Sequence, residues 1–239
     1  MGAQEQIVPA LSQGLLLSVA EELKLPLLQI ARLAEASQLV GVAHNNDIIE
    51  ATADSALKLI DNYILGVRLS LEPENFGLEN VSVSSVLYDA REELSALAKN
   101  YGVDLRLNIS GKFGPVTANR FGLEAALVSL GAALIEALPA LGSNQLSLQL
   151  ATHKSRYGIV AGVYADTKVL SAEALSAGRR LQHVSRQPLV NLSHSNGAGV
   201  FVADTILKAM NLNLTASRHH NWYGIGTVLQ PSRQLQLIS

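Results

Sequence analysis

Residues 20–35 read AEELKLPLLQIARLAE. Leucine and isoleucine recur there at the spacing of one helix face, yet Pro26 stands in the interior. A mid-helix proline removes a backbone donor and clashes with the preceding turn, bending the helix at a cost of roughly 3 kcal/mol or more. Outward from this stretch, Leu16, Val19, Leu23, Leu27, Ile30 and Leu33 extend the predicted helix over 11–36. The polar run SQLVGVAHNND (37–47) is a turn, and Asn46 or Asp47 can cap a second helix. Its inward positions Ile49, Ala53, Ala56, Ile60, Tyr63 and Val67 step by 4, 3, 4, 3 and 4, the heptad rhythm of a coiled-coil-like seam. Two such helices form an antiparallel hairpin. Leu15, Leu28, Leu57 and Ile64 fall off the main stripe, and one hairpin cannot cover both apolar faces. A second copy, completing a four-helix bundle, would cover them. The expected dimer interface uses Val19, Leu23, Ile30, Ile49, Ala53, Ala56, Ile60 and Val67. Each large side chain buried there stabilises by about 1.5–3 kcal/mol.

LEPENFGLEN (71–80) breaks the pattern and reads as a linker between a helical domain, 1–70, and a second domain, 81–239. The second domain alternates helix and strand. Helices are expected over 84–100, with Gly102 as the cap, and over 120–138, 171–184 and 197–210. Strands are expected at 103–109, 115–119, 145–151 and 157–165, the last two joined by HKSR (153–156). Two more, 212–218 and 224–230, are joined by HHNWY (219–223).

Composition narrows the function. Of 239 residues, 48% are hydrophobic and 16% charged, too apolar for a disordered chain. Mean hydropathy is +0.22. The net charge of −2 provides no basic excess for general nucleic-acid binding. No run approaches the ~18 apolar residues of a membrane span. The N-terminus lacks the basic start of a signal peptide, and MGAQEQ lacks the Ser or Thr that favours myristoylation. The default expectation is a cytoplasmic protein. Without cysteine there is no disulfide, thiolate metal site or cysteine nucleophile.

The order of elements resembles the dimerisation and ATP-binding core of two-component histidine kinases, over roughly residues 12–231. The fold class implied is α+β: a helical hairpin, then a GHKL-like α/β sandwich with a mixed sheet. In that family the first helix carries a His-Glu-Leu-x-x-Pro-like stretch with the phospho-accepting histidine five residues before the proline. Glu21, Glu22, Leu23, Lys24, Leu25, Pro26 and Leu27 fill this frame. Glu21 takes the histidine's place and Glu22 that of the acid after it. Glu21 and Glu22 are either a solvated helix face or a fixed charge resembling a phosphate. Leu25 and Leu28 lie beside them. Leu25 points away from the stripe and either docks a partner or packs on the second domain.

The resemblance also places Ser129 and Ala133 where the family's asparagines hold Mg²⁺ and phosphate. Alanine has no oxygen for a hard cation. In YADTKVLSAEAL (164–175), Ala165, or Asp166 with a one-residue slip, stands at the position that grips adenine; Thr167 and Val169 replace glycines. SNGAGVFVADTIL (195–207) keeps Gly197 and Gly199 from the second glycine box, with Ser195 for the first glycine. A glycine-rich helix start either holds phosphate or packs tightly on a sheet. The implied outcome is a pseudokinase without catalytic residue, cofactor or metal, in which Gly197 and Gly199 are vestigial.

No other motif competes. His44, His153, His183, His194, His219 and His220 show no ligand spacing, and the turn pair His219–His220 is expected to be exposed. Arg179, Arg180 and Arg186 are either an anion site or surface charge. The sequence reading is thus a homodimeric adaptor that binds a response-regulator receiver domain through Glu21, Glu22, Leu25 and Leu28 without phosphotransfer. The alternatives are a histidine-phosphotransferase-like relay, which would need a histidine before residue 44, and a small-molecule sensor.

Overall fold

The computed structural model describes residues 30, 54, 56–58, 60–66, 68–69, 77–138, 146–166 and 197–232. Ile30 is helical and half-buried, and the described residues among 54–69 form helix α1. The others form β1 (Glu79–Val81), α2 (Val83–Asn100), β2 (Asp104–Ile109), β3 (Val116–Ala118), α3 (Arg120–Ala137), β4 (Ser147–Ser155) and β5 (Gly158–Ala165). α4 (Gly197–Ala209), β6 (Thr215–His219) and β7 (Trp222–Leu229) complete the order.

A five-stranded mixed sheet runs β2-β4-β5-β7-β6. β2 pairs parallel to β4, and the remaining neighbours are antiparallel. The fold is α+β, as expected. Leu148 and Leu150 of β4, with Ile159, Ala161 and Val163 of β5, face the helices and join the main core. Gln149, Ala151, His153, Val160 and Tyr164 alternate with them on the reverse face.

Local chemistry explains the helix bounds. Ser82 caps α2 by accepting from the Ser85 amide, 3.4 Å away. Its far end closes with Val103 donating to the Ala98 carbonyl and Gly102 to that of Lys99, a Schellman pair. Gly102, at φ +65°, supplies the left-handed residue this pair requires. Asn119 caps α3 by accepting from the Gly122 amide at 2.8 Å. α2 buries one face through Val86, Leu87, Ala90 and Leu94. α3 is apolar on all sides, the signature of a helix enclosed by others. Gly131 admits Leu94 of α2: an added Cβ would lie 2.2 Å from its Cδ1.

Several bounds differ from expectation. The stretch read as a linker holds the first two residues of β1, which pairs with β3 through Glu79↔Ala118 and Val81↔Val116. Its polar residues face outward while Val81 is buried, so composition concealed a strand. β4 runs through Ser155, and the turn shrinks to Arg156–Tyr157. β6 likewise includes His219, leaving His220–Asn221 as the turn.

Candidate functional site

The positions that the kinase resemblance assigns to Mg²⁺ and phosphate meet at the junction of α1, α3 and α4. Ser129 and Ala133 lie one turn apart on α3, and both are buried. The Ser129 hydroxyl accepts from the Asn62 side-chain amide of α1 at 2.9 Å. Asn62 also donates to the Ala125 carbonyl at 3.4 Å. The buried amide therefore has two acceptors on α3, and the one side-chain oxygen of the pair is turned toward α1.

Gly199 closes the junction from the third side. A Cβ added there would lie 2.6 Å from the Ser129 carbonyl oxygen and 2.9 Å from the Ala133 Cβ. Its glycine character thus allows α4 to touch α3 directly. Of the two roles open to it in the sequence, helix packing is the one with a contact. Gly197 is the first residue of α4. α1 packs on α4 as well, since a Cβ at Gly66 would come 3.1 Å from Ile206 Cγ1.

For the adenine-gripping position the resemblance offers Ala165 or Asp166. Ala165 ends β5, is fully buried and pairs with Leu148 on the helix-facing side. Asp166 follows the strand and is exposed. Among the described residues at these positions no carboxylate is buried, Ala133 has no ligand oxygen, and the Ser129 hydroxyl is engaged by Asn62.

Charge gathers beside the junction. Lys58 of α1 pairs with Glu93 of α2 at 2.6 Å, and Arg120 pairs with Asp89. Burial, then the Asp89 and Glu93 carboxylates, raises the Glu124 carboxyl above its usual range; Arg120 and Lys58 oppose the rise. Among the described residues no group of three or more His, Asp or Glu is placed to hold a metal ion.

The expectation that His219 is exposed is overturned. Only 5% of it is accessible, and its ring stacks on His153 with centroids 4.7 Å apart. The pair lies on the sheet face away from the helices. Lack of a Gly in HHNWY hid the tight turn that buries it; His220 takes the left-handed conformation instead, at φ +54°. Asn62 was also missed, although an amide inside an apolar helix was a usable signal.

Glu21, Glu22, Leu25, Leu28, Val19, Leu23, Ile49, Ala53 and Val67 lie outside the described residues. So do Thr167, Val169, Ser195, His44, His183, His194 and Arg179, Arg180 and Arg186. Of the expected dimer seam, Ala56 is already buried within the single chain and Ile60 is half-buried. Leu57 and Ile64, one heptad apart, are exposed at 59% and 41%.

No protein-family model and no curated protein matches the chain. Solved structures do. The Acinetobacter baumannii histidine kinase AdeS is similar at 11% identity with a TM-score of 0.53, over 89% of this chain and 98% of that one. The chain has a histidine-kinase-like fold. Full-length ShkA in complex with AMPPNP is 15% identical with a TM-score of 0.48, covering 92% of this chain and 46% of that one. A bacterial phosphotransferase is 10% identical with a TM-score of 0.47, covering 91% and 95%. Within the histidine-kinase-like fold, α3 packs against both α2 and α4. No described helix is long and apolar enough to cross a membrane.

Proposed function

We propose that this chain is a two-component signalling protein that works by binding, as a dimer, without transferring phosphate. The observation that carries the reading is the engaged Ser129 hydroxyl. It accepts from Asn62, while Gly199 seats α4 against the same turn of α3. A nucleotide at this place would have to displace a buried hydrogen bond and a helix contact, and would meet no buried carboxylate among the described residues. The exposed Leu57 and Ile64 support pairing of α1 with a second copy. In this reading Glu21 and Glu22 carry the fixed charge and, with Leu25 and Leu28, contact a receiver domain.

Two measurements on the full chain test the proposal. Calorimetric titration with ATP and Mg²⁺ should give no saturable heat. Incubation with a labelled phospho-receiver should leave no label on the chain, while the receiver is retained and Leu25→Asp releases it. Saturable ATP binding or a stable label would overturn the proposal.

A second reading, a small-molecule sensor, is favoured by one observation. Thr152 and Thr227 flank Ala161 on the helix-facing side, and both hydroxyls are buried without a hydrogen-bond partner among the described residues. A ligand donating or accepting there would raise the melting temperature, and Thr152→Val with Thr227→Val would remove the rise.

A further inference from the structure

His153 is on β4 and His219 on β6, with β5 and β7 between them. In a flat sheet those strands would stand about 14 Å apart. The rings nevertheless stack at 4.7 Å and 6°, so the sheet curls toward its outer face. Glycines make the curl possible. A Cβ at Gly162, Gly224 or Gly226 would lie 2.7, 2.1 or 2.5 Å from a carbonyl oxygen of the adjacent strand.

The curl encloses a polar layer. The Gln149 side-chain amide is 3.4 Å from His219 Nδ1. Tyr164 crosses toward β6 and bonds its hydroxyl to Ser217 Oγ at 3.0 Å. The His220 ring is 4.5 Å from that of His219, and His153 Nδ1 is buried with no partner among the described residues.

We propose that His153 and His219 form an acid-sensitive latch, which holds the β6–β7 hairpin end over β4 while both rings are neutral and releases it when either is protonated. The stacked geometry does not suit a shared metal. Imidazole lone pairs lie in the ring planes, and two nearly parallel planes do not converge on one ion. A proton, by contrast, has a direct effect. Among the described residues the groups facing the pair are His153 from β4, Tyr164 from β5, His219 from β6 and His220 from the β6–β7 turn; Trp222 of β7 carries no charge. Burial pushes the Tyr164 phenol up to about 12, so it stays neutral. Burial, then the neighbouring imidazoles, lowers the basicity of His219; burial and His220 do the same for His153. Among the described residues a charge on either ring therefore gains no counter-ion and repels its neighbours.

The sign follows by linkage. Both folded values lie below the ordinary histidine value, so the closed latch stabilises fully above about 6.5 and loses that contribution as pH falls through the folded values. Among the described strands β6 is an edge strand whose backbone pairs with β7 alone, so it can open without the helical layer unfolding.

Trp222, the chain's one tryptophan, pairs directly with His219 and reports the opening. On the full chain, lowering pH from 8 to 5 should change its emission reversibly, with a midpoint below the ordinary histidine value. Amides of β6 should exchange about tenfold faster for each unit of depression released. His153→Phe and His219→Phe keep a ring and remove the proton, and each should abolish the transition. His220→Gln should keep it and move it to higher pH. Unchanged emission and exchange in the parent chain would overturn the proposal, as would the same transition in both Phe variants. If the variants do not fold, ring-proton NMR of the parent chain decides. Titration below the ordinary value in step with β6 exchange supports the latch, and titration at the ordinary value without it overturns the latch.

Discussion

The Asn62 side chain of α1 donates to the Ser129 hydroxyl in the middle of α3 at 2.9 Å, joining segments 67 residues apart. Both residues are buried, so each is the other's replacement for water. Asn62→Ala should cost about 1–3 kcal/mol, because it leaves Ser129 unsatisfied. Adding Ser129→Ala should recover part of this. A double-mutant cycle by urea unfolding should give a coupling of about 0.5–1.5 kcal/mol; strictly additive losses would refute the link.

The ion pair from α1 to α2 beside this junction should matter less. Lys58 and Glu93 are 46% and 30% exposed at their side chains. Lys58→Ala should change stability by no more than about 1 kcal/mol, and salt should shrink the difference. A larger, salt-insensitive loss would mean that the ion pair, not the buried amide, holds α1.

Gly199→Ala should destabilise by about 1–3 kcal/mol, since its Cβ meets backbone at 2.6 Å. Gly114→Ala is the control: an added Cβ meets nothing within 4 Å, and its φ is not left-handed. That substitution should be neutral or stabilise by up to about 1 kcal/mol. Equal thermal shifts in the two variants would contradict the α3–α4 contact.

Alkaline titration should separate the tyrosines. Burial, with Glu136 adding to it, pushes Tyr101 up to about 12, and burial pushes Tyr164 to about 12. Their raised values add stability that is complete below the unfolded value of about 10 and lost as pH rises through the folded value. Ultraviolet absorbance should show these two ionising after the exposed tyrosines and together with loss of ellipticity. Early ionisation of all six tyrosines with the fold intact would contradict this.

Much of the α+β fold after residue 78 was legible in the sequence because its signals are local. The capping residues Ser82 and Asn119 and the stop at Gly102 lie beside the helices they bound. The alternation in 103–109 and the apolar run at 157–165 mark β2 and β5 within a residue. The reach of β4 through His153 and the burial of His219 were not legible. The burial of His219 depends on glycines of two strands, Gly162 of β5 and Gly224 and Gly226 of β7, curling one sheet, which no window of sequence contains. The seat of Asn62 escaped for the same reason: its partner is 67 residues away.

The one parallel pairing among the described strands, β2 on β4, bears on how the chain reaches this shape. β4–β5 and β6–β7 each close over two residues, whereas β2 meets β4 only after the chain passes through α3. Closing short loops is entropically cheaper, and contacts between distant segments set the pace of folding. The two hairpins should therefore gain hydrogen-exchange protection first in pulse-labelled refolding, and β2 should join last.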